Sequence, residues 1–173
     1  MIKSALWSLL FSFCFLIIET AILSNIVFLP VVPDLVLLCL IYISFFNGCS
    51  AGEIHGFFTG FLVDFLSAAP LGLNSLLRTI IGFITGLFRN MFNIDKIFFP
   101  AILGIIGTFL KALLLLILSF FFGDSVLPYK LTESYFWIEL CINTVLSPLM
   151  FAFLNLFSNL LLFSQESLTY VQQ

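Results

Sequence analysis

Five ionisable side chains, Glu19, Asp64, Arg78, Lys111 and Glu139, interrupt stretches that are otherwise apolar. A charge within such a stretch must be compensated by a partner or put to use, as in a proton relay, an ion path or a counter-ion pair. Three acids and two bases leave two readings open: a transport path, or pairings that fix helix order, with Lys111 against Glu19 or Glu139. Around Asp64 the spacing says more. Gly52, Gly56, Gly60 and Asp64 recur every four residues and share one helix stripe, and Arg78, Gly82 and Gly86 form a second stripe at the same interval. Glycines so placed let two backbones approach closely in lipid, where hydrophobicity cannot drive helices together. Folding the stripes back antiparallel with Asp64 beside Arg78 sets Gly60 opposite Gly82 and Gly56 opposite Gly86. A tight hairpin closed by a buried Asp64–Arg78 ion pair, roughly 6 Å inside the end of each helix, is therefore expected. That pair serves either as structural glue or in signalling or transport.

Other chemistry is thin. His55 is the only histidine, and it has no cysteine or carboxylate at metal-ligand spacing, so no metal site is expected. It reads as a polar residue at the membrane interface, near Glu53. No G-x-S-x-G, H-E-x-x-H or phosphate-binding glycine loop occurs, and Glu53, His55 and Asp64 fall on different stripes. An enzyme is not expected, nor is any cofactor; an intramembrane enzyme of lipid metabolism would be a third class of function. The four cysteines, Cys14, Cys39, Cys49 and Cys141, lie in or beside apolar runs and read as packing residues.

The elements that must position these charges are helices. Of 173 residues, 62% are hydrophobic and only 9% charged, more apolar surface than a water-soluble core can hide. Nine acids and six bases are scattered singly, so nucleic acid binding has no support and membrane lipid is the expected surrounding. At about 20 residues per crossing of a ~30 Å core, the length allows about six crossings. Apolar runs over residues 5–26, 34–47, 48–68, 74–88, 97–122 and 135–163 supply them, forming one transmembrane domain over 1–163. The remaining residues, 164–173, read as a short polar cytoplasmic tail. Pro30 and Pro33 end the first run, Pro33 and Asp34 start the second, and Pro70 and Gly72 end the third. Pro148 is expected to kink the sixth. No small-residue cleavage pattern follows the first run, which reads as a retained helix. With six crossings, Lys3, Arg89 and Lys96 share one face against Lys130 on the other, which places both termini in the cytoplasm. The fold class is thus an all-α membrane protein, a six-transmembrane-helix bundle.

Gly56, Gly60 and Asp64, the turn Ser67, Pro70, Leu71, Gly72, Leu73 and Asn74, then Thr79, Gly82 and Gly86 form a connected pattern. With Pro33, Asp34 and Leu35 before the second run, this pattern resembles the MreD family of bacterial rod shape-determining membrane proteins. The resemblance implies a non-enzymatic component of the cell-elongation machinery in the bacterial inner membrane. It would bind MreC directly and cooperate with MreB, RodA and the elongation-specific transpeptidase, modulating peptidoglycan synthesis and cell shape. The family is similar in helix number and plan to the substrate-binding components of energy-coupling-factor transporters. A vitamin-binding membrane module is accordingly the alternative function.

Overall fold

A computed structural model describes residues 2–26, 30–67, 69–89, 98–122 and 133–163. Among these residues all regular structure is helical: α1 (Ile2–Ile17), α2 (Leu35–Asn47), α3 (Cys49–Leu66), α4 (Leu73–Leu87), α5 (Phe98–Phe122), α6 (Ser134–Asn155) and the single turn α7 (Ser158–Leu161). The first apolar run is not one uniform helix. Beyond Ile17 the chain widens into a π-helical turn over Ile18–Ile22 and tightens into a 3-10 turn over Leu23–Asn25. Here Thr20, Ser24 and Asn25 turn their side chains back onto backbone carbonyls, offering the backbone an alternative to the regular ladder. The last apolar run likewise divides into α6 and α7, and Pro148 lies inside α6.

Helix α2 occupies the centre. Every residue from Leu35 to Asn47 is buried, and α1, α3, α4, α5 and α6 all pack on it. Its sequence, LVLLCLIYISFFN, is apolar on every side, as a helix surrounded by others must be. Asp34 caps its start, accepting from Leu37 N–H at 2.8 Å. Gly48 ends it at φ +92°, a left-handed conformation that suits glycine, and α3 begins at the next residue. Thirteen residues rise only ~20 Å, short of a ~30 Å hydrocarbon core.

Three segments are long and apolar enough to cross a membrane, Lys3–Asn25, Phe98–Phe121 and Ser134–Asn155; α2 and α4 are shorter apolar helices. Polarity is distributed for lipid. Large apolar side chains such as Leu6, Phe65, Phe98, Phe120, Phe121 and Leu149 face outward, while Asp34, Arg78, Glu139, Asn143, Ser147 and Thr108 are buried. A bundle that exposes large apolar side chains and buries charged and polar ones suits a hydrocarbon surrounding.

Candidate functional site

The buried charges meet at the start of α2. Asp34, 3% exposed, receives Arg78 Nη2 from α4 at 3.0 and 3.2 Å, one bond to each carboxylate oxygen. Lys111 Nζ from α5 donates to Asp34 Oδ2 at 2.8 Å and to Glu139 Oε1 of α6 at 2.9 Å. Asn143, one turn beyond Glu139, accepts from the Asp34 backbone N–H at 3.1 Å and donates to Thr108 Oγ1 at 3.1 Å. The N-terminus of α2, whose aligned peptide dipoles favour negative charge, adds to the attraction on Asp34. Asp34 thus ties α2 to α4 and α5 through its carboxylate and to α6 through its backbone N–H. Glu19 comes from the π turn, half-buried, with Val36 N–H 3.5 Å from its Oε2.

Asp64 lies elsewhere, and the expected Asp64–Arg78 ion pair does not form. The Asp64 carboxylate accepts from Gly72 N–H (2.9 Å), Asn74 N–H (2.9 Å), Asn74 Nδ2 (3.0 Å) and Ser75 N–H (3.1 Å). These backbone donors belong to the turn and first residues of α4, which have no partner inside their own helix. The physical reason is one of supply: Asp64 finds enough donors in the turn, while Arg78, further along α4, faces the acid that heads α2.

The glycine stripes do form the closest approach of α3 and α4, but in another register. A Cβ on Gly82 would collide with the Gly52 backbone, one on Gly56 with Arg78, one on Gly60 with Asn74 and Ser75, and one on Gly86 with Gly48 and Cys49. Gly82 therefore faces Gly52 rather than Gly60, and Gly86 faces the start of α3 rather than Gly56. The displacement of eight residues is about 12 Å along the helix. It follows from the Asp64 cap, because α3 must run past the first turn of α4 for its carboxylate to reach those N–H groups. Ser44 of α2 donates to the Gly82 carbonyl at the same point, so three helices converge where two of them lack side chains.

A second polar cluster joins α1 to α3. His55, 3% exposed, sets Nε2 3.0 Å from Ser12 Oγ and 3.3 Å from the Ser8 carbonyl, beside a cavity of about 50 Å³. It is buried where α1 packs on α3. At the other end of α2, Asn47 receives Phe163 N–H (2.8 Å) and Arg89 Nη1 (3.2 Å, on its carbonyl) and donates to the Leu161 carbonyl (3.1 Å). Among the described residues, no group of three or more His, Cys, Asp or Glu is placed to hold a metal ion.

Sequence reasoning singled out Arg78, Lys111, Glu139 and Glu19 but missed the residue around which they gather. Asp34 was visible as a helix start after Pro33 and as part of the Pro33, Asp34, Leu35 pattern, not as a buried charge; a capping acid next to an apolar run is also a buried acid, and that was the available signal.

The description of the MreD model, rod shape-determining protein, applies over residues 1–157. The chain belongs to the MreD family. It is a bacterial membrane protein of the rod-shape system. Neither curated proteins nor solved structures gave a match, and nothing supports the vitamin-binding alternative. The residues on which the resemblance rested, Pro33–Asp34–Leu35 and the glycine pattern from Gly56 to Gly86, are those that build the α2 start and the α3–α4 hairpin.

Proposed function

We propose that this chain is a non-enzymatic inner-membrane component of the cell-elongation complex, which binds MreC and modulates peptidoglycan synthesis without itself making bonds. Membership of the MreD family across residues 1–157 carries the reading. The charge cluster is compatible with it: Asp34, Arg78, Lys111 and Glu139 bind one another, as groups that hold a scaffold do. In this proposal the chain crosses the membrane six times, with α2, α3 and α4 completing the three longer spans. MreB, RodA and the elongation-specific transpeptidase belong to the same assembly. Depletion in the parent bacterium is expected to give round or swollen cells with misplaced wall synthesis, and isolation from native membrane is expected to bring MreC with it. Rod-shaped cells after depletion, with no MreC in the isolate, would overturn the proposal.

A further inference from the structure

The bonds around His55 fix where its ring carries a hydrogen. Ser12 Oγ donates its one hydrogen to Cys39 Sγ at 3.3 Å, so toward His55 Nε2, 3.0 Å away, it can only accept. The Ser8 carbonyl, 3.3 Å from the same nitrogen, can do nothing but accept. Both contacts therefore place the hydrogen on Nε2. A second one on Nδ1 would make a buried imidazolium, and no carboxylate among the described residues pairs with His55 to balance it. Nδ1 is thus a bare acceptor. It is also an orphan: His55 is buried, and Nδ1 has no hydrogen-bond partner among the described residues. The nearby Thr59 hydroxyl donates to the His55 backbone carbonyl instead. A buried acceptor left without a donor is costly.

The cavity beside this ring is an independent observation. Its volume is about 50 Å³, and its walls include Ala5, Ser8 and Leu9 of α1 and Ala51, Ile54 and His55 of α3. Ser8 is buried too; its hydroxyl donates to the Ala5 carbonyl at 2.9 Å and keeps lone pairs able to accept. The polar lining of the cavity therefore offers acceptors and lacks a donor. A cation would find no counter-charge there, and an anion would meet only lone pairs. A neutral molecule with two hydrogens to give suits the site. Water is the smallest, and it needs only about 10–15 Å³ of clear space.

We infer that His55 and Ser8 form a binding site for an internal water molecule, which donates one hydrogen to His55 Nδ1 and the other to Ser8 Oγ. The water completes a polar chain that runs from Cys39 on α2 through Ser12 on α1 to His55 on α3 and back to α1 at Ser8. Its role is to latch the first helix. Lys3–Asn25 is the least buried of the three long apolar segments, and apolar surface gives a helix in lipid no reason to prefer its neighbours over the acyl chains. Hydrogen bonds between α1 and α3 supply that preference.

Solid-state NMR of the full-length protein in lipid vesicles, labelled with nitrogen-15 at histidine, tests the inference. His55 is the only histidine, so the spectrum holds a single pair of ring signals. Nε2 is expected to carry the hydrogen and Nδ1 to be bare, and magnetisation selected on water should reach Nδ1 at short mixing times. Ala51→Leu fills the cavity from the α3 side and Ala5→Val from the α1 side. Each is expected to abolish the transfer to Nδ1 while the hydrogen stays on Nε2, where Ser12 and the Ser8 carbonyl hold it. A hydrogen on Nδ1, or no transfer from water in the unaltered protein, would overturn the site without recourse to any variant. Transfer that survives in either folded variant would also overturn it, since the water would then lie outside the cavity.

Discussion

Arg78 Nη2 stands 3.0 Å from Asp34 Oδ1, joining two residues 44 positions apart in the chain. The bond fixes α4 against the start of α2, and Lys111 approaches the same carboxylate from α5. Removing the charge leaves Arg78, buried, and Lys111, half-buried, without their shared anion, although an asparagine can still cap α2. Asp34→Asn is expected to lose about 3–5 kcal/mol, the cost of breaking a buried pair from one side. Arg78→Met should lose less, because Lys111 still neutralises Asp34. Reversible unfolding in mixed micelles measures both; equal losses would mean that Lys111 does not share the carboxylate. Exchanging the partners, Asp34→Arg with Arg78→Asp, should recover little, since an arginine at 34 neither caps α2 nor attracts Lys111.

Asp64 behaves as a cap and not as half of an ion pair. Its four accepted hydrogen bonds all come from residues 72 to 75, so Asp64→Ala strips the first turn of α4 of its acceptor. A loss of about 2 kcal/mol is expected, at the upper end for caps because the site is buried. The exchange Asp64→Arg with Arg78→Asp should be worse than either single change. Recovery of stability in that double variant would show that the two residues are paired after all.

How much of this was legible can be read from the same residues. Four-residue glycine spacing announces a close helix pair because it depends only on helix geometry, and α3 and α4 do meet along those stripes. Their register was not legible, because it depends on where the turn ends and on which donors the Asp64 carboxylate meets there. Pairing Asp64 with Arg78 assumed that nearby opposite charges seek each other, whereas unsatisfied backbone N–H groups were nearer. The partner of Arg78 came from 44 residues upstream, a separation that no local spacing encodes. The breaks after Ile17 and Asn155 also escaped notice, since apolar composition continues through both. The polar loop around residues 90–97, the loop over 123–132 and the tail 164–173 lie outside the described residues.

The glycines separate steric from conformational demands. A Cβ at Gly86 would lie 2.5 Å from Cys49 Cα, a backbone atom that can yield only by parting the helices. Gly86→Ala is therefore expected to cost about 1–3 kcal/mol, and Gly60→Leu more, because Asn74 and Ser75 stand as close to Gly60. Gly72 is the contrast. It has open space around it but a φ of +93°, so Gly72→Ala should cost only the backbone strain, about 1 kcal/mol, and Gly72→Asn less. If Gly72→Ala proves the more damaging of the two alanine variants, close packing of α3 on α4 is not what the stripes provide.

Orientation is tested through residue 125, which lies outside the described residues. In the six-span proposal Lys3, Arg89 and Lys96 mark the cytoplasmic face, and the loop over 123–132, with Lys130 as its only base, faces the periplasm. The native cysteines, Cys14, Cys39, Cys49 and Cys141, are all free thiols and must first be replaced by serine or alanine. Cys39 accepts a hydrogen bond from Ser12 at 3.3 Å, so alanine is the better choice there, leaving no new buried donor. In that background Ser125→Cys is expected to react in intact cells with a thiol reagent that cannot cross the membrane, whereas Ser4→Cys, near the N-terminus, should react only after the inner membrane is opened. The opposite pattern would invert the bundle, and labelling of both positions from one side would require an even number of crossings between them.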